Sequence, residues 1–168
     1  MGQMLKKLKK IIVVAATAVM LFAGFATVTP NEASAHWADG AMDWGLRNGY
    51  ITADFRDSYA TRQDTWLILT RIATDHSGGS NYDAARKYVM SNKISDGTNP
   101  QNYVTRFQVI QMIHRTKSPK NLYLGDADGR ALDWAVKKGI YDGTRNSDPA
   151  TRAEVMTMMR QAWLIGAL

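Results

Sequence analysis

The run Gly139-Ile140-Tyr141-Asp142-Gly143-Thr144-Arg145-Asn146-Ser147-Asp148-Pro149-Ala150-Thr151-Arg152-Ala153-Glu154 decides the fold. Its glycine follows a helix-patterned stretch with Ala131, Trp134, Ala135 and Val136. A glycine just past a helix is the usual left-handed cap, because it has no Cβ to clash. At the other end, Thr151 to Glu154 reads as a capping box. The Thr hydroxyl accepts the backbone N–H three residues on, and Glu reaches back to the cap N–H. Asp142-Gly143 between them is a turn signal. The run therefore predicts helix, loop, helix.

The layout occurs three times. Thr61-Arg62, Thr105-Arg106 and Thr151-Arg152 each lie 17 residues after an aromatic: Trp44, Tyr88 and Trp134. Each lies 12 residues after Gly49, Lys93 or Gly139, and the copies are spaced by 44 and 46 residues. Such a period predicts one supersecondary unit repeated, with neighbours burying each other's apolar faces. The units run over about 36–76, 80–117 and 122–168. Thr105 to Gln108 fits the capping box, and Thr61 to Asp64 is a shorter version.

The units differ in detail. Unit two has Lys93 where the others have glycine, so Asn92 is expected to supply the left-handed residue. Unit one has Thr52-Ala53-Asp54 where units two and three have Asp96-Gly97-Thr98 and Asp142-Gly143-Thr144, so a different turn is expected there. Apolar stripes follow each cap: Trp66, Leu69 and Ile72; Val109, Met112 and Ile113; Val155, Met158, Met159 and Ala162. They suit burial on one helix face, and core packing is the favoured reading over ligand contact. Ser77-Gly78-Gly79-Ser80 reads as a flexible connector. Lys117-Ser118-Pro119-Lys120 contains a helix-stopping proline.

The first 35 residues stand apart. Lys6, Lys7, Lys9 and Lys10 precede an uncharged apolar run from Ile11 to Val28, and the segment ends Ala33-Ser34-Ala35. This order predicts a signal peptide cleaved after Ala35. The competing reading is an uncleaved anchor, as the run approaches the ~20 residues that span a bilayer. Without 1–35, the 21 basic and 15 acidic residues become 17 and 14, a net charge of +3. That balance does not suggest nucleic acid. It is compatible with an acidic polymer. No cysteine is present, which excludes disulfides, thiolate metal sites and Cys nucleophiles.

Arg62, Arg106 and Arg152 occupy the first helical position, where the macrodipole penalises a cation by ~0.3–1 kcal/mol. Two explanations stand level. The heads can pair with Asp57, Asp148 or another loop carboxylate. Alternatively, guanidinium and free helix N–H groups together hold an anionic ligand.

The pattern resembles the S-layer homology domain of bacterial surface proteins. His36-Trp37-Ala38, Ala41-Met42 and Gly49-Tyr50-Ile51 look like its "HWA..AI......GI", and Thr151-Arg152-Ala153-Glu154 matches its "TRAE". Ala131-Leu132, Gly139-Ile140 and Gly143 follow the same spacing. Leu124-Gly125-Asp126 resembles the opening "F.D" of a unit. The resemblance implies an all-α fold of three helix-loop-helix repeats packed as a pseudo-threefold prism, with grooves between units. It implies non-catalytic, non-covalent binding to secondary cell wall polysaccharide, often pyruvylated, on a Gram-positive envelope. Arg62, Arg106 and Arg152 would meet the ketal carboxylate, and Asp126 would bind sugar hydroxyls. The protein would be secreted and wall-associated, with no cofactor, no metal and no nucleic-acid partner, and with other surface proteins as further partners. Unit two keeps only half the hallmark, Thr105-Arg106-Phe107-Gln108, and Lys93 departs from it. The alternative is therefore an interaction or structural domain that has lost the glycan. As no unit follows the third, the expectation is a stand-alone module that competes for wall sites or brings another protein to the wall.

Enzyme signals are weak. His36, His76 and His114 lack metal-ligand spacing, and His114 reads as a solvated or helix-end residue. No nucleophile elbow, P-loop or dinucleotide fingerprint occurs. Asp126-Ala127-Asp128-Gly129 resembles the start of a calcium loop, but Asp133 is misplaced and no Glu follows at the twelfth position. A wall hydrolase or amidase regulator is the least favoured reading.

Overall fold

Helices start where the caps put them. In the computed structural model, residues 36–117 and 126–168 are described, apart from the side chains of 126–128. The six helices among the described residues are α1 (Asp39–Arg47), α2 (Arg62–Ala73), α3 (Tyr82–Ser91), α4 (Arg106–Lys117), α5 (Asp126–Lys137) and α6 (Arg152–Leu164). The fold is all-α, with no strand among the described residues. The proposed signal segment, Leu124-Gly125 and the Pro119 stretch lie outside the described residues. No described helix is long and apolar enough to cross a membrane.

The capping predictions hold. Thr61 and Thr151 form complete capping boxes with Asp64 and Glu154. At Thr105, the backbone N–H donates to Gln108 Oε1 at 3.0 Å, and the Gln108 N–H donates to the Thr105 hydroxyl at 3.2 Å. Each such cap stabilises its helix by roughly 1 kcal/mol. The first helix of each repeat ends in a left-handed residue: Gly49 (φ 68°), Lys93 (φ 56°) and Gly139 (φ 68°). The next N–H returns to the helix carbonyl five residues back, as from Tyr50 to Gly45, Ile94 to Val89 and Ile140 to Ala135. The expectation for Asn92 is corrected here. Lys93 itself adopts the left-handed conformation, and Asn92 instead donates its side-chain amide to the Tyr88 carbonyl.

Three loops meet in a closed ring. The Ala60 N–H donates to the Ala150 carbonyl at 2.9 Å, Ala150 donates to Val104 at 2.8 Å, and Val104 donates to Ala60 at 3.0 Å. All three residues are buried. The second helices α2, α4 and α6 touch one another, while α3 packs on α2, α5 on α4 and α1 on α6. The first helix of each repeat thus rests on the second helix of another. The repeat that opens the described region and the repeat that closes it are joined through α1 and α6.

The predicted stripes are core. Trp66, Leu69, Ile72, Val109, Met112, Ile113, Val155, Met158, Met159 and Ala162 are all buried. Trp44 packs against Tyr50 at 5.0 Å and against Trp163 at 5.4 Å. The Ser77–Ser80 connector is tied down rather than loose. The Gly78 N–H donates to the Thr74 hydroxyl, and the buried Gly79 offers its carbonyl to Arg71 Nε at 3.0 Å. Arg71 crowds Gly79 so closely that a Cβ there would lie 2.6 Å from its Cγ.

Candidate functional site

The Thr-Arg steps sit where one repeat's second helix meets the next repeat's loop. The first two helix N–H groups are occupied there. Those of Arg62 and Gln63 donate to the Asn102 and Pro100 carbonyls. Those of Arg106 and Phe107 reach Asp148 and Asn146, and those of Arg152 and Ala153 reach Ser58 and Arg56. The third N–H goes to the capping Thr. The expectation of free helix N–H groups for an anion is therefore corrected. Neighbouring loops saturate them, because a buried N–H without a partner is costly. Any anion must be held by side chains.

The three arginine heads have different fates. Arg62 donates from Nη2 to Asp96 Oδ1 at 2.7 Å and from Nε to the Thr98 carbonyl at 2.9 Å. Its guanidinium also lies 5.5 Å from the Trp66 ring. Beside it is a groove of about 230 Å³ that also includes Gln108, Gln111, Met112 and Arg115.

Arg106 is enclosed. It pairs with Asp142 at 2.9 Å and with Glu154, bonds the Thr144 carbonyl, and lies 5.0 Å from the Tyr141 ring. A groove of about 480 Å³ opens beside it, with Trp37, Tyr141, Arg145, Thr157 and Gln161 on its walls. Trp37 is 63% exposed. Arg145 also pairs with Glu154, so two cations share one carboxylate.

Arg152 forms no ion pair or hydrogen bond through its side chain among the described residues, and its Nε is buried without a partner. Its charge is felt by the Tyr82 phenol. Tyr82 donates to Asp64 Oδ1 at 2.9 Å. Asp64 holds the position that Glu154 holds beside Arg106.

Titration follows these contacts. The Thr144 amide holds the Asp142 carboxyl below the ordinary range, and Arg106 adds to this. Burial works to raise Asp96 and Glu154, but hydrogen bonds from Thr98 and Thr151 and the nearby arginines outweigh it, so both end low. The bond to Asp64, with burial, pushes Tyr82 up.

The loop carboxylates that pair with Arg62 and Arg106 are Asp96 and Asp142, rather than Asp57 and Asp148, the two named from sequence. Asp148 contributes its backbone carbonyl to the Arg106 N–H, and its carboxylate faces Arg145. Asp126 starts α5, and its side chain lies outside the described residues. Because Asp126–Gly129 is helical, it lacks the loop geometry that calcium coordination needs. No metal-ligand cluster occurs among the described residues. His114 is half-buried against the Trp134 ring at 5.2 Å rather than solvated, and burial lowers its pKa. Sequence reasoning gave no role to His76. It donates from Nε2 to the Asn48 carbonyl and stacks on Tyr50 at 5.0 Å. Its only sequence signal is its place next to the Gly-Gly connector.

No family model matches this chain, and no curated protein matches it.

Proposed function

We propose that the chain is a non-catalytic wall-binding domain of the S-layer homology type, a three-repeat prism that holds an acidic cell wall polysaccharide outside the cell. The closed ring of loop hydrogen bonds and the rotation of helix partners support the prism arrangement. The observation that carries the binding role is Arg152. A guanidinium at a junction between repeats, with no internal anion, suits a planar carboxylate such as a pyruvyl ketal. Tyr82 beside it offers an aromatic face and a hydroxyl to a sugar.

The test is retention of residues 36–168 on purified walls, before and after the polysaccharide is stripped. Retention is expected only on unstripped walls. Arg152→Ala should weaken it at least about tenfold, since a charge-assisted hydrogen bond contributes ~1.5–3 kcal/mol. Equal binding to stripped walls counts against the reading.

A second reading is a structural or protein-interaction domain without glycan. The saturation of Arg106 by two carboxylates and a carbonyl favours it. Wild-type retention from Arg152→Ala and Arg62→Ala alike would support that alternative.

A further inference from the structure

The loop position three residues after the left-handed helix cap differs among the repeats. It is Thr52 in the first, Asp96 in the second and Asp142 in the third. The alignment is bracketed on both sides. Gly49, Lys93 and Gly139 precede it by three with φ of 68°, 56° and 68°. Phe55, Asn99 and Arg145 follow it by three with φ of 44°, 50° and 51°. Each of these last three takes back an N–H three residues on, from Ser58, Asn102 and Asp148. No insertion intervenes, so the three positions are equivalent in sequence, while the turn itself differs: Gly97 (φ 70°) and Gly143 (φ 80°) are left-handed and Ala53 is not.

The contacts at this position sort the arginines. Asp96 Oδ1 lies 2.7 Å from Arg62, and Asp142 Oδ1 lies 2.9 Å from Arg106. The same Asp oxygens accept the N–H of Thr98 at 3.0 Å and of Thr144 at 2.9 Å, which fixes them in place. Thr52 brings no charge, and Arg152 has no anion among the described residues. The nearest loop carboxylate in sequence, Asp54, is engaged by Arg56 through three side-chain bonds.

We infer that this loop residue selects which junction accepts an external carboxylate: Asp96 and Asp142 occupy Arg62 and Arg106 as internal stand-ins, and Thr52 leaves Arg152 open. The inference rests on the anion-binding reading above. It adds that Asp96 is the side chain that closes the Arg62 junction and can be removed to open it, whereas Arg106 is closed by Glu154 as well as by Asp142. A ligand at Arg62 has to displace a carboxylate already fixed by its own loop amide. At Arg152 it has no carboxylate among the described residues to displace.

The test uses residues 36–168 with ¹⁵N-labelled arginine and acetate as probe, following the arginine Nε–Hε signals by NMR. In the wild type, acetate should shift the Arg152 signal and leave those of Arg62 and Arg106 in place. Asp96→Asn should add a shift at Arg62, because it removes the carboxylate paired with that head. Thr52→Asp with Ala53→Gly, which introduces the Asp-Gly pair of the other repeats, should abolish the Arg152 shift. Asp142→Asn should leave Arg106 silent, because Glu154 still holds it. Thermal melts of each variant separate occupancy from unfolding. The inference is overturned if the three arginines respond alike, if none responds, or if Arg152 still responds in the folded Thr52→Asp, Ala53→Gly double variant. Wall retention of the same variants tests the other claim separately. If the shifts follow the expected pattern and the wild type fails to bind walls, the selector stands and the wall reading falls.

Discussion

Arg106 and Arg152 hold the same place in two repeats and do opposite things. Arg106 is surrounded by Asp142, Glu154 and the Thr144 carbonyl, and only 7% of its side chain is exposed. Arg152 has neither carboxylate, since Thr52 replaces one and the shorter Asp64 is engaged by Tyr82 and by its own cap. The comparison separates two uses of one motif. A charge taken out of water must find an opposite charge inside, and it then becomes part of the scaffold. A charge left at a junction without a partner is available to something else. Three positions equivalent in sequence therefore differ in what their side chains meet.

The largest expected effect breaks this contrast on the structural side. Arg106→Ala leaves Glu154 and Asp142 facing each other with one cation fewer. It should destabilise the domain by about 3 kcal/mol, as for a broken buried ion pair. Arg152→Ala should cost about 0.5 kcal/mol or less. Urea unfolding of both variants checks the difference, and equal losses would erase it.

A smaller effect sharpens the view of the connectors. Gly79→Ala pushes a Cβ into Arg71 and its backbone N, 2.6 and 3.1 Å away. A loss of about 1–2 kcal/mol is expected by urea unfolding, as for overpacking elsewhere. A loose connector would show none.

Acid should act on the sealed junctions. The Asp96, Asp142 and Glu154 carboxyls are held below their ordinary values, so the unfolded chain binds more protons in acid and stability rises with pH. Their contribution is essentially complete above about pH 5.5, where unfolded carboxyls are almost fully ionised. It is lost as pH falls through the lowered folded values. Thermal melts across this window should show a weaker acid loss for Asp142→Asn than for the wild type.

The smallest effect concerns the odd helix cap. Lys93 adopts φ 56° without glycine's freedom, so Lys93→Gly should stabilise the domain by about 0.5–1 kcal/mol. Gly139→Ala should lose a similar amount. Chemical denaturation of the pair checks both signs.

Much of the local structure is legible in the chain. The period of 44 and 46 residues, the Thr caps and the glycines past the helices locate the helix ends that matter to the junctions, with Lys93 as the exception. These signals are short-range: a hydroxyl meets an N–H three residues away, and a missing Cβ permits one backbone conformation. The Lys93 cap escapes such reading because a left-handed non-glycine leaves no mark in sequence. The Gly-Gly connector escapes it because its rigidity comes from Arg71, eight residues before Gly79. The apolar stripes read as core, and they are core, because helical spacing fixes which face is buried.

The sequence by itself determined that three capped helices would each begin with an arginine, because capping and periodicity are written in neighbouring residues. Only the tertiary structure decided which helix lies on which, which loop carbonyls take the first helix N–H groups, and which arginine keeps an unpartnered Nε. Those outcomes depend on groups more than 30 residues apart in the chain, such as Arg62 and Asp96, meeting within hydrogen-bond distance.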